Sequence, residues 1–250
     1  MKPYYDDGQV QLWLGDCREI LPALGLEADC VIADPPYQST SLNWDRWPDG
    51  WLEAAAPVSR SMWCFGTLRL FVDRAPEFRG AGWKLSHDVI WEKRNGSGVA
   101  ADRFRGVHET VTHWYRGDWA AVRHEAPRTP AVFSAKGRTT SEAAAVTPHT
   151  GKIGGHRYTD DGTRLARSVL RFPSVRRGLH RTQKPVPLLK LLIGYACPPG
   201  GLVVAPFAGS GSDLVAAREM GCRAVGIEGD EASIEKAARR LSQCVPEAAP

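Results

Sequence analysis

The strongest constraint on this chain is an alternation of short apolar runs with segments of helical period, which occupies both ends of the sequence and stops in the middle. Short continuous apolar runs between turn formers mark strands buried on both faces, the condition of a parallel sheet covered by crossover helices. Strands are expected at Val10 to Gly15, where Val10, Leu12 and Leu14 alternate, and at Ala28 to Ala33, Ser61 to Phe65, Val89 to Trp91, Thr110 to Trp114, Gly201 to Ala205 and Ala224 to Ile227. Helices are expected near Trp51 to Ala56, Leu68 to Phe78, Pro187 to Ala196, Asp213 to Met220 and Glu231 to Leu241. In the last of these, Ile234, Ala237, Ala238 and Leu241 fall on one face, Asp230 stands as N-cap, and Arg239 and Arg240 lie at the C-terminal end. The pattern predicts an α/β fold with a mostly parallel sheet of about seven strands.

Between Trp119 and Arg181 the periodicity fails. From Arg116 to Arg181 there are thirteen Lys and Arg against five Asp and Glu, a net +8 in a chain whose whole charge is +4. The remainder is therefore net acidic. A long, basic segment with few large apolar residues cannot be core, and a plain linker has no reason to join two halves of one sheet, so it is expected to bind a polyanion. The chain accordingly divides into 1–118, an insertion at 119–179, and 180–250. No run of about 18 apolar residues occurs, and Met1-Lys2-Pro3-Tyr4-Tyr5-Asp6-Asp7 is polar where a signal peptide needs apolar residues. Six scattered cysteines, without a Cys-x-x-Cys pair or clustered histidines, predict free thiols and no metal site. A cytoplasmic protein with no membrane partner is expected.

Two segments carry chemistry. Asp34-Pro35-Pro36-Tyr37 directly follows the apolar run Cys30-Val31-Ile32-Ala33, which places a carboxylate and an aromatic ring at the carboxyl end of a buried strand, where open parallel sheets bind ligands. The prolines stiffen the turn and remove two amide donors, leaving acceptors beside an aromatic face. A nucleobase amino group is met by that combination. Pro206-Phe207-Ala208-Gly209-Ser210-Gly211-Ser212 lies between a strand and a helix, the setting in which glycines let a ligand approach the backbone. Glu228, about 20 residues on, ends the next strand, where an acid in nucleotide-binding folds holds ribose hydroxyls.

Together with His180-Arg181-Thr182-Gln183-Lys184-Pro185, these segments resemble the amino-methyltransferases of DNA that use S-adenosylmethionine. The order, catalytic motif first and cofactor loop last, resembles their permuted beta class, which implies a circularly permuted Rossmann-like methyltransferase sheet with a target-recognition insertion. In that frame the strand at Val203 is the first of the sheet, that at Ile227 the second, that at Leu14 the third, and the one before Asp34 the fourth. The resemblance implies that Asp34 and the Pro35 carbonyl accept from the target amine, with Pro36 in the same motif and Tyr37 stacking on an extruded base of double-stranded DNA. It further implies a cofactor site built from Pro206, Phe207, Gly209, Ser210, Gly211 and Ser212, with Glu228 on the ribose, Asp16 and Cys17 at the adenine, and Thr182 and Lys184 at the carboxylate. Asp16 also reads as the N-cap of a short helix at Arg18 to Leu21.

The chain departs from the family at Ala205, where an Asp ordinarily precedes Pro-Phe. Either another acid meets the cofactor's ammonium group, with Asp213 a candidate, or the cofactor is held weakly. Because the motif opens with Asp rather than Ser, the resemblance favours adenine N6 over cytosine N4; Asn43-Trp44-Asp45 resembles an element of adenine-specific members. Trp44, Trp47 and Trp51 are expected in the core rather than facing DNA. Two other classes stand against this reading: a DNA-binding homologue with a degenerate cofactor site, suggested by Ala205, and a dinucleotide-binding dehydrogenase, disfavoured because the later glycine of Gly-x-Gly-x-x-Gly is missing. A homodimer is left open.

Overall fold

The computed structural model describes residues 1–38, 45–97, 102, 104–130, 139–141, 145–147, 151–153, 157–159, 161–175 and 183–243. Asn43, Trp44, Thr182 and Cys244 lie outside them. In chain order come β1 (Tyr5–Asp6), β2 (Val10–Leu14), α1 (Cys17–Leu24), β3 (Cys30–Ala33), α2 (Trp51–Ala55), β4 (Ser61–Gly66), α3 (Leu68–Gly80), β5 (Lys84–Ser97) and β6 (Gly106–Tyr115). Six short strands follow: β7 (Arg128–Pro130), β8 (Thr139–Ser141), β9 (Ala145–Thr147), β10 (Gly151–Ile153), β11 (Arg157–Thr159) and β12 (Thr163–Leu165). The chain continues with β13 (Val169–Arg171), α4 (Val186–Ala196), β14 (Leu202–Ala205), α5 (Ser212–Glu219), β15 (Arg223–Glu228) and α6 (Glu231–Gln243).

Among the described residues the main sheet has nine strands, in the order β1-β2-β15-β14-β3-β4-β6-β5-β13. From β2 to β4 the neighbours are parallel, and β6 runs antiparallel to both β4 and β5. All seven expected strands are present. The two further ones, β1 and β13, are outer strands of two and three residues with little burial, so no apolar run announces them. Strand β5 is also far longer than Val89 to Trp91, since it pairs along most of β6 in a hairpin whose ends are polar.

Alternation within each strand sends side chains to two cores. Ile32, Trp63 and Val203 meet Leu189 and Ile193 of α4, Leu214 of α5 and Ile234 of α6 on one face; Val31, Met62 and Val204 meet Leu21 of α1, Trp51 of α2 and Phe78 of α3 on the other. Three helices thus cover each face, as a parallel sheet requires. Trp47 and Trp51 are buried, and Trp51 packs edge-on to Phe78, so both belong to the core as expected. Helix starts follow local chemistry: Asp16 caps α1 through the Arg18 amide at 2.9 Å, Thr67 caps α3 through the Leu70 amide at 3.1 Å, and Asp230 accepts from the Ser233 amide at 2.8 Å ahead of α6.

The chain forms two compact units, Met1–Glu125 with Ser168–Pro250, and Ala126–Arg167. The second is narrower than the expected insertion, because Trp119–Ala121 and β13 belong with the main body. Within it three antiparallel ladders nest, β7 with β12 outside, β8 with β11 next and β9 with β10 innermost. Three-residue strands are too short to show a period, so the sequence pattern does not reveal them.

Candidate active site at the carboxyl edge of the sheet

Strands β2, β15, β14 and β3 are parallel, so their carboxyl ends share one edge, and the connections after β14 and after β3 leave on opposite sides. A crevice opens at such a reversal. Here it is a cleft of about 630 Å³, with Asp34, Pro35, Pro36 and Tyr37 after β3 and Phe207, Gly209, Ser210 and Ser212 after β14, while Glu228 ends β15 beside them. The sheet therefore brings together two motifs separated by about 170 residues of chain.

The glycine loop is anchored from two sides, by Glu228 and by Arg240. Glu228 Oε2 accepts from the Gly209 amide at 2.7 Å and its Oε1 from the Asp230 amide at 2.9 Å. Arg240 of α6 donates to the Ser210 carbonyl at 3.1 Å and to Ser212 Oγ at 2.9 Å. Gly211 (φ 69°) adopts the left-handed conformation, and a Cβ there would stand 3.3 Å from Ala237 Cβ. At Gly209 (φ 50°) a Cβ would meet nothing within 4 Å, so the backbone stands open to the cleft. Pro206 is buried behind the loop.

The opposite wall is a charge network. Asp34 Oδ1 accepts from the Tyr37 hydroxyl at 2.5 Å, and Asp34 Oδ2 accepts from Lys184 Nζ at 2.7 Å. Lys184 Nζ also lies 3.3 Å from Glu109 Oε2, the Tyr37 hydroxyl lies 3.4 Å from that same oxygen, and Lys93 pairs with Glu109 Oε1. Only 7% of the Lys184 side chain is exposed. Burial opposes its charge, but Asp34 and Glu109 outweigh burial and raise its pKa; burial likewise opposes ionisation of Glu109, which Lys184 and Lys93 nonetheless hold below the usual carboxylate range. Burial, with Asp34 and Glu109 adding to it, pushes the Tyr37 hydroxyl well above its ordinary value and keeps it a donor. Glu109 and Lys93 were not among the expected site residues. A carboxylate and an ammonium flanking the apolar stretches of two facing strands are the available signal.

Asp213, in the first turn of α5, lines the cleft while nearly buried. Burial raises its pKa to about 7 against the opposing bonds from the backbone, and nearby Asp34 adds to the rise. Ala205 is fully buried in the sheet. Of the other expected residues, Asp16 caps α1 and pairs with Arg18 at 2.5 Å, Cys17 is buried in the core with its thiol pushed up to about 12 by burial, and Lys184 reaches the Asp34 carboxylate. Neither Asp16 nor Cys17 lines the cleft. Asp45, beyond the segment outside the described residues, does line it and accepts from the Gln38 amide at 2.8 Å. Among the described residues no cluster of His, Cys, Asp and Glu suits a metal ion, and no helix is long and apolar enough to cross a membrane.

A strand-end acid beside an aromatic, facing a glycine loop across a cleft in a parallel sheet, defines a nucleotide-handling α/β enzyme. Residues 28–239 match the DNA methylase family of N6 and N4 amino-methyltransferases, and the chain belongs to it. It is 24% identical to the type II methyltransferase M2.DpnII of Streptococcus pneumoniae, over 96% of this chain and 92% of that one. It is 24% identical to the type II methyltransferase M.HinfI of Haemophilus influenzae, over 98% of this chain and 72% of that one. Its fold is similar to the crystal structure of M1.HpyAVI with S-adenosylmethionine (TM-score 0.65, 21% identity, 93% of this chain and 100% of that one). It is also similar to the cytosine-N4-specific PvuII DNA methyltransferase (TM-score 0.65, 13% identity, 100% of this chain and 91% of that one). Family membership brings S-adenosylmethionine with it. The site fits that group: an open glycine backbone, the Glu228 carboxylate for hydroxyls and a nearly buried acid at Asp213 line one cleft.

Proposed function

We propose that this DNA methylase acts on the N6 amino group of adenine in duplex DNA, at particular sites, as a modification enzyme of the type II kind. The observation that carries the reading is Asp34 at the head of the strand-end motif, in one cleft with the glycine loop. An ionised carboxylate and the Pro35 carbonyl accept the two hydrogens of an exocyclic amine, which turns the nitrogen lone pair out of conjugation with the ring. S-adenosylmethionine, when bound, supplies an electrophilic methyl group. Phe207, Gly209, Ser210 and Ser212 would line it, Glu228 would take its ribose hydroxyls and Asp213 its ammonium, in place of the acid missing at Ala205.

The target base reaches Asp34 only after leaving the stack, and the Tyr37 ring offers it a new partner at the mouth of the cleft. Double-stranded DNA is held through the basic residues of the insertion. The strand order β2-β15-β14-β3 supports reading the chain as circularly permuted, with β14 as first strand and β3 as fourth. Incubation of the protein with labelled S-adenosylmethionine and mixed-sequence duplex, followed by nucleoside analysis and mapping, is expected to yield N6-methyladenine at defined positions. N4-methylcytosine would transfer the same site chemistry to cytosine, and no labelled nucleoside would sink the reading.

A further inference from the structure

Both oxygens of Asp34 are already occupied, Oδ1 by the Tyr37 hydroxyl and Oδ2 by Lys184. Each oxygen keeps a second lone pair, but a carboxylate already met on both oxygens by strong donors is a weakened acceptor for a target amine, and a buried donor leaves readily only if another acceptor awaits it. Glu109 Oε2 stands 3.4 Å from the Tyr37 hydroxyl and 3.3 Å from Lys184 Nζ, so both donors are shared between two carboxylates. The ammonium fits its place as a fixed bridge: it is almost wholly buried and lies near the Tyr37 and Phe65 rings, 5.5 Å and 5.0 Å from their centroids. The hydroxyl turns on a single bond.

We infer that Glu109 is a positioning residue that receives the Tyr37 hydroxyl when the target base enters, leaving Asp34 Oδ1 a stronger acceptor for the amine while Lys184 keeps the two carboxylates in register. Lys93, paired with the other oxygen of Glu109, holds that acceptor in place. The inference rests on Asp34 as the acceptor of the target amine, and holds for adenine and cytosine alike. No covalent step is involved, only the exchange of one hydrogen bond for another.

Glu109→Gln keeps the shape and weakens the acceptor. It is expected to lower kcat about tenfold or more, the order set by poorly housing a buried donor, while S-adenosylmethionine binds within about twofold of wild type. The fluorescence of 2-aminopurine placed beside the mapped target base should rise less on binding than with the wild-type protein, since the extruded base is held less well. In a Tyr37→Phe background there is no hydroxyl to rehouse, so Glu109→Gln should cost less than about threefold. If Glu109→Gln does not fold, Glu109→Gln with Lys93→Met restores the local charge balance and is read in the same way. Equal losses in the Tyr and Phe backgrounds, or wild-type kcat with full fluorescence, would overturn the inference. Asp34→Asn separates the two failures: if it retains turnover, the reading of Asp34 falls and Glu109 with it, whereas an inactive Asp34→Asn beside an unaffected Glu109→Gln overturns Glu109 alone.

Discussion

The two walls of the cleft solve the problem of burying charge in opposite ways. On the Asp34 wall two carboxylates face two ammonium groups, and every one of them has a partner of opposite sign. On the glycine-loop wall Asp213 forms no salt bridge among the described residues; it accepts from the Leu214 amide at 2.9 Å, and burial outweighs both the backbone bonds and the pull of Arg240. The paired wall is neutral as a group, with Glu109 held below and Lys184 above its ordinary value by the opposite charges around them, whereas the acid on the other wall sits with its pKa near 7, poised to gain or lose a proton. A wall balanced within itself suits a neutral amine. A wall one positive charge short suits a cationic ligand.

The largest expected effect comes from breaking the paired wall at its catalytic member. Asp34→Ala should reduce methyl transfer by about a thousandfold or more, since it removes the acceptor that exposes the amine lone pair and leaves Lys184 buried against Glu109 alone. Cofactor affinity, governed by the other wall, should change less than about threefold. Substantial turnover by the purified variant, or a parallel loss of cofactor binding, would show that the walls do not divide the work in this way.

A second comparison sets the cleft against the basic unit at Ala126–Arg167. If that unit and its flanks neutralise about four phosphates, log K should fall with log salt at a slope near −3.6, a loss of roughly 150-fold between 50 and 200 mM salt. S-adenosylmethionine binding in the absence of DNA should hardly move over the same range. A salt-independent DNA affinity, or one that survives deletion of the segment, would remove it from the interface.

The same contrast explains what the sequence reveals. Strands β3, β4, β14 and β15 were legible because burial on both faces writes an unbroken apolar run, and the strand-end motifs followed from them. Glu109 was not legible as a site residue: it sits more than 70 residues from Asp34, and only the pairing of β6 with β4 and β5 carries it to the cleft. The expectation for Lys184 is the cofactor carboxylate, and the structure sets its ammonium on Asp34 and Glu109, since spacing alone says nothing of which protein anions a buried ammonium will meet. Asp16 served both as an expected adenine ligand and as an expected N-cap; the structure shows the cap, with Arg18 holding its carboxyl below the usual range.

The smallest expected effect tests the unpaired wall, and it has two signs from one group. In the free protein the Asp213 pKa is raised to about 7, so between the unfolded value and that value the folded state binds more protons than the unfolded chain. Stability should therefore fall as pH rises from about 4 to about 7, by at most about 4 kcal/mol, and Asp213→Asn should flatten that fall in thermal melts. Cofactor binding runs the other way. An ammonium beside Asp213 favours the carboxylate, so affinity for S-adenosylmethionine should rise as pH increases through 7, with release of a proton on binding. The charged neighbours matter to the size of this effect: Asp34 raises the Asp213 pKa and Arg240 lowers it, so neither may be altered in the same series. At pH 8 Asp213→Asn should weaken S-adenosylmethionine about tenfold, the equivalent of ~1.4 kcal/mol, and leave an analogue without the amino group unchanged. Titration calorimetry of both proteins with both ligands in two buffers of different ionisation enthalpy measures affinity and proton release together. Equal losses for the two ligands, or no proton release, would mean that the ammonium lies elsewhere, and that the acid missing at Ala205 has no replacement on this wall.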